Sequence, residues 1–129
     1  MNLNEKFSQD YPSLNFGLPQ DIDLLRQTVR KFVLKEISPI ASEVDRSNEF
    51  PLKIWPKLGK LGLLGITADE KYGGIKLGYL AHIIAMEELS RESASIGLSY
   101  GAHSNLCVNQ INRNGSELQK KKFLPKVKE

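Results

Sequence analysis

Residues 79–93 read YLAHIIAMEELSRES, and residues 96–113 read IGLSYGAHSNLCVNQINR. These two stretches decide the fold. In the first, Leu80, Ile83, Ile84, Ala85, Met86 and Leu89 spread apolar side chains over nearly every face of a helix, the mark of a buried central helix. The second is also largely apolar or small-sided and long enough for another helix. Neither carries the period-2 alternation of a half-buried strand. After the second stretch, Asn114-Gly115 predicts a left-handed C-cap. Ser116 with Gln119 three residues on is a capping box, opening a last helix that runs on Leu118, Phe123 and Val127.

Upstream the same reading continues. A helix starts near Pro19, whose fixed φ suits a first turn, with Asp21 and Asp23 at the positive end of its dipole. Ile22, Leu25, Val29, Phe32 and Val33 recur at helical spacing, while Arg26, Arg30 and Lys31 take other faces. Pro39 ends this helix and seeds a short second one through Asp45, closed by a turn at Ser47-Asn48. Pro51 opens a third, with Leu52, Trp55, Leu58 and Leu61 toward the core. Pro56 either kinks that helix or marks where its regular part starts. Gly59 and Gly62 allow close backbone approach. Thr67 to Gly78, with Gly73-Gly74, reads as a loop needing positive φ. The expected fold is all-α, a bundle of about six helices over residues 18–129, preceded by a flexible arm at residues 1–17.

Composition narrows the function classes. The 129 residues suit one domain, and 40% apolar with 26% charged residues is ordinary for a globular protein. The single cysteine, Cys107, excludes an intramolecular disulfide and a multi-cysteine metal site. No stretch approaches the roughly eighteen apolar residues that span a bilayer, so no membrane association is expected. With no signal or transit pattern at the start, the expectation is a cytoplasmic protein; a processed form from the mitochondrial matrix would look the same. A net charge of +3 is too small to imply nucleic acid. The basic run Lys120, Lys121, Lys122, Lys126 and Lys128 reads first as a solvated helix face and second as a surface for an acidic partner.

Candidate chemistry is sparse. His82 and His103 lie far apart with no cysteine cluster near either, so no metal site is expected. Gly73-Gly74 lacks the strand that a phosphate loop requires. Glu87 and Glu88 invite a paired-carboxylate reading, but neighbours on a helix diverge by about 100°, and Arg91 is placed to pair with either. His103 reads as a hydrogen-bonded packing residue, and Cys107 as a small buried hydrophobe. The residues alone thus give a helical domain without an evident reaction.

A resemblance goes further. Leu-Gly-x-x-Gly-Ile from Leu61, Tyr72-Gly73-Gly74 and Met86-Glu87-Glu88-Leu89-Ser90-Arg91 are similar to the N-terminal helical domain of the acyl-CoA dehydrogenases. The likeness covers about Leu18 to Lys126. Gly97 to Cys107, GLSYGAHSNLC, resembles the branch of that family acting on isovaleryl-CoA in leucine breakdown. Pro19 departs from the serine or threonine cap usual there. The resemblance implies α,β-dehydrogenation of a short branched acyl-CoA, with FAD as cofactor, electron-transfer flavoprotein as electron acceptor and a homo-oligomer, a tetramer, as the parent's assembly. It also implies that the catalytic base and most FAD contacts belong to a β-domain and a second helical bundle beyond this chain. No catalytic residue is therefore expected here, and this chain alone is expected to be inactive.

What the domain can supply is a wall. Leu98, Ala102 and Leu106 recur at i, i+4 and i+8 on one helical stripe. By resemblance they match positions that touch the acyl chain, with Ser99 beside them. The stripe carries no cation, so a dicarboxylic acyl group would leave an unpaired buried charge. Two other readings stay open at this point: a family member for another short acyl chain, and a stand-alone, non-catalytic helical interaction domain.

Overall fold

The computed structural model describes residues 16–127, and every structural statement below concerns those residues. The arm expected at residues 1–17 lies outside them except for Phe16 and Gly17. No strand occurs among the described residues, and the all-α reading holds.

Helix α1 spans Gln20–Glu36. Pro19 sits at its N-cap, where the carbonyl accepts from Ile22 N at 3.0 Å and Asp23 N at 3.2 Å, in place of a side-chain cap. Ile22, Val29 and Val33 are buried, and Leu25 and Phe32 pack half-buried against the same core. Pro39 lies in a single 3-10 turn, Ser38–Ile40, that leads into α2, Ala41–Ser47. Asn48 ends α2 with φ 56, a left-handed conformation that its short polar side chain tolerates.

Helix α3 spans Ile54–Lys60, starting three residues later than the Pro51 expected to open it. Pro51 forms the turn before it, with its carbonyl accepting from Ile54 N at 2.9 Å. Pro56 therefore falls in the first turn, where an amide has no intrahelical partner to lose, and no kink is needed. The shift also corrects the core assignment. Leu52 precedes the helix and is 73% exposed, while Ile54 and Leu58 make the buried i, i+4 pair.

The segment after α3 is laced to itself. Gly62 takes φ 75, and amides of Ile75, Lys76 and Leu77 donate to the carbonyls of Gly65, Ala68 and Ile66. Gly73 and Gly78 take the positive φ expected of this loop. A 3-10 turn, Glu70–Tyr72, carries Tyr72 inward, and its hydroxyl donates to Glu117 at 2.7 Å.

Helix α4, Gly78–Glu92, packs along α1 and then against α5, Ala94–Gly101. Ala81, Ile84, Ala85 and Leu89 enter the main core with Val29, Val33, Leu58, Leu63, Ile96 and Tyr100. The expectation of a helix buried all round needs correction: Tyr79, Leu80 and Ile83 are 50, 43 and 48% exposed. Among the described residues, these three side chains on the outer side of α4 stay half uncovered. A Cβ on Gly97 would stand 2.1 Å from Ser90 Oγ, so that glycine lets α4 and α5 close on each other.

Beyond α5 the helix continues through a π segment, Ala102–Asn109, into α6, Gln110–Asn114. Gly115 does not form the expected left-handed cap. It is extended, with φ −70 and ψ 149, and its smallness matters for space, because a Cβ would meet Ile111 O at 2.6 Å. The capping box forms as read: Ser116 N donates to Gln119 Oε1 at 2.8 Å, and Gln119 N to Ser116 Oγ at 3.3 Å. It opens α7, Glu117–Val127, whose register differs from the expected one. Leu118 and Phe123 are 82 and 42% exposed, while Leu124 joins Ala68, Tyr72 and Val108 in a second small cluster with Val127 packed against it. Residues five apart on a helix diverge by about 140°, so Leu118 and Phe123 do not share a buried face.

Candidate functional site

The helix running from residue 94 to 114 has two faces that alternate with a spacing of four. Ile96, Tyr100, Ser104 and Val108 are buried, at 0, 0, 0 and 1% exposure. Leu98, Ala102, Leu106 and Gln110 are exposed, Leu98 and Leu106 at 69 and 68%. In a uniform α-helix both stripes would slew around the axis, because each step of four residues turns about 40° past a full circle. Over three steps a buried position would rotate by about 120°. Hydrogen bonds to the fifth residue back widen a π turn to roughly 4.4 residues, so four residues there fall about 30° short. The α and π drifts have opposite signs and nearly cancel from Leu98 to Leu106. The stripe consequently runs straight along the helix, with Ser99 half-exposed at its edge.

The π segment is seated on a buried polar chain. Ser104 Oγ donates to Tyr100 O at 2.8 Å and lies 3.0 Å from His82 Nδ1. Tyr100 in turn donates its hydroxyl to Leu63 O at 3.1 Å. The His82 ring lies between the rings of Tyr79 and Tyr100, with centroids 5.5 and 5.4 Å away. Burial holds the imidazole below the usual histidine range and pushes the Tyr100 phenol well above its own.

His103 faces a different neighbour, its ring 5.1 Å from Trp55, which stacks at 4.9 Å on Phe50. The packing role expected for His103 is present, but its buried Nδ1 has no hydrogen-bond partner, and burial lowers its basicity as well. The hydrogen-bonded histidine is His82. Cys107 is exposed rather than buried, because the outward side of the widened turn also takes the residue after Leu106. It lines an open groove of about 530 Å³ with Leu106, Gln110, Ile111, Gln119 and Phe123.

The carboxylates on α4 are structural. Glu87 pairs with Arg26 at 3.4 Å. Glu88, 1% exposed, meets Arg91 Nη1 through both oxygens at 3.4 Å and Arg30 Nε at 3.9 Å. Arg30 also reaches Glu92 at 3.0 Å. No group of metal-ligating side chains occurs among the described residues.

Sequence reasoning brought Leu98, Ser99, Ala102 and Leu106 onto one exposed surface but missed the π segment and the seat made by His82 and Ser104. No signal in the sequence marks the widening, because Ile96, Tyr100, Ser104 and Val108 would fall within about 120° of one face of an ordinary α-helix as well.

Comparison with known proteins agrees with this architecture. The sequence matches the family described as "Acyl-CoA dehydrogenase, N-terminal domain" over residues 19–129. It is 58% identical to the mitochondrial isovaleryl-CoA dehydrogenase of Pongo abelii over 113 residues, covering 86% of this chain and 27% of that protein. Among solved structures, an acyl-CoA dehydrogenase from Geobacillus kaustophilus superposes with a TM-score of 0.80 at 32% identity, over 86% of this chain and 29% of that one. An acyl-CoA dehydrogenase from Bacillus anthracis, solved in complex with FAD, gives 0.77 at 30% identity over 84% and 18%. The chain thus spans between 18 and 29% of the length of these relatives. With its helical order, its loop glycines and the match across nearly all described residues, the chain belongs to the acyl-CoA dehydrogenase family, as its N-terminal domain.

Proposed function

We propose that this domain forms one wall of the acyl pocket in a parent enzyme that removes the α and β hydrogens of a short branched acyl-CoA. The observation that carries this reading is the uncharged stripe of Leu98, Ala102 and Leu106, left open along a helix whose other side is packed. Two branched side chains flanking a methyl make a shallow saddle, suited to a compact aliphatic group. A long chain would need a deeper opening, and a dicarboxylic one would need a cation that the stripe does not hold. The high identity to isovaleryl-CoA dehydrogenases favours the branched C5 group over other short chains.

The parent's cofactor in this reading is FAD, held mainly by other parts of the parent. The groove beside the stripe offers no basic side chain to a diphosphate, which supports placing the flavin's contacts in the rest of the parent. The electron acceptor, electron-transfer flavoprotein, and a homotetrameric assembly likewise belong to the parent. The mitochondrial relatives favour the matrix as compartment for a eukaryotic parent. No described helix is long and apolar enough to cross a membrane.

The test is Ala102→Glu in the full-length parent. Glutamate would fill the saddle and place a carboxylate against the acyl group. A loss of ~3 kcal/mol in transition-state binding lowers kcat/KM for isovaleryl-CoA about a hundredfold. Because Ala102 is exposed in this domain, the thermal stability of the isolated chain should barely move. Wild-type kcat/KM in the variant would remove the stripe from the acyl pocket.

A further inference from the structure

We infer that His82 and Ser104 are positioning residues for the acyl wall: their buried hydrogen bond holds the π turn that lines up Leu98, Ala102 and Leu106. The inference rests on the wall reading above and adds to it the device that sets the shape of the wall.

Hydrogen bonding fixes the direction of the contact. Ser104 Oγ has one proton, and that proton is directed to Tyr100 O at 2.8 Å. Toward His82 Nδ1, at 3.0 Å, the oxygen can then only accept, so the imidazole carries its proton on Nδ1. The chain of donors runs from His82 to Ser104 to the carbonyl of Tyr100. That carbonyl belongs to the last turn of α5, immediately before Gly101, the N-cap of the π segment. In an α-helix it would receive the amide of Ser104. A serine hydroxyl bonded four residues back competes with the α pattern and bends or opens the helix. Here the hydroxyl is not free to rotate away, because a fully buried imidazole donates to it from α4.

The rest of the seat is rigid. The His82 ring is flanked by Tyr79 and Tyr100, and the Tyr100 hydroxyl is tied to Leu63 O. Ser104 and His82 are 0 and 2% exposed, so neither contact is a surface accident. Burying two polar side chains costs free energy that apolar residues would avoid, and the hydrogen bonds only offset it. Packing alone would be served as well by alanine and phenylalanine. What the polar pair adds is register. Without the π turn, the drift from Leu98 to Leu106 would grow from near zero to about 80°, turning Leu106 away from the line of the saddle.

The experiment uses the full-length parent with Ser104→Ala, Ser104→Thr and the double variant His82→Phe/Ser104→Ala. Each is assayed for kcat and KM with isovaleryl-CoA and with butyryl-CoA, and for amide exchange over residues 102–109. Ser104→Ala should cut the preference for the branched thioester about tenfold, the scale of one misplaced apolar group. Its amides at 102–109 should exchange at least tenfold faster, with those of 84–89 unchanged. Ser104→Thr, which keeps the hydroxyl, should restore both. The double variant strands no buried donor, so it should fold and yet keep the relaxed preference; should Ser104→Ala not accumulate folded, the double variant is read by the same criteria. An unchanged preference in these variants, while Leu98→Ala shifts it, overturns the positioning role and leaves the wall standing. If Leu98→Ala and Ala102→Glu also leave the preference unchanged, the wall reading falls and takes this inference with it.

Discussion

The seam between α1 and α4 and the outer face of the helix at 94–114 are both built on apolar stripes, but they are finished differently. Along the seam, Val29, Val33, Ala81, Ala85 and Leu89 are closed off by a charged rim in which Arg26, Arg30 and Arg91 meet Glu87, Glu88 and Glu92. The outer face of the later helix has no such rim, and Leu98 and Leu106 stand two-thirds bare. Charge at the edge of an apolar contact marks a surface that is complete. An uncharged apolar stripe marks one made to be covered.

That contrast can be broken most forcefully in the core. Leu89 is fully buried on α4, and Leu89→Ala should destabilise the chain by about 2–5 kcal/mol through lost burial and the cavity left behind. Urea titration followed by circular dichroism measures it. A loss below 1 kcal/mol would mean that the seam is as loosely covered as the stripe.

A second, smaller effect sharpens the comparison through pH. Burial depresses the basicity of both His82 and His103 from 6.5, so the unfolded chain binds protons on these rings more readily than the folded one. Their contribution is complete above about pH 6.5 and is lost as pH falls from there toward their folded values. Tm should therefore be flat from pH 8 to 7 and decline below 6.5. Glu36, beside Lys57, and Glu117, beside Tyr72 and Lys71, are held below 4.5 and add a further decline only under that value. A Tm that stays flat down to pH 5 would show that the imidazoles near the π segment are open to water.

The smallest effect is expected on the stripe itself. Leu98→Ala should change the stability of the isolated chain by no more than ~0.5 kcal/mol, the usual range for a surface position. Set beside Leu89→Ala, the same chemical truncation should differ several-fold in cost between the two regions. Equal costs would mean that Leu98 is already covered in solution, by a second copy of the chain, and sedimentation would then show a dimer.

Much of this was legible from residue types alone. Pro19, Pro39 and the box of Ser116 with Gln119 act through local sterics and hydrogen bonds, which a sequence states directly. The stripe was legible for the same reason, since spacing along one helix needs no knowledge of neighbours. Leu52 misled because its exposure depends on where its helix starts, and Leu118 and Phe123 misled because the buried face of α7 is set by Ala68, Tyr72 and Val108, which only the fold brings to it. Gly115 misled because glycine answers two needs, positive φ and lack of bulk, and only the position of Ile111 O separates them. His82 could not be read at all from its own segment. Its partner is 22 residues away, and only packing of α4 against the π segment brings them together.

The exposed thiol of Cys107 makes the molecule its own reporter. It is the single cysteine of the chain, it follows Leu106 directly, and it shares a groove with Phe123. A thiol-reactive fluorophore would attach at one place only, without any substitution, at the edge of the bare stripe. Its emission would then register, in real time, when that surface passes from water to cover.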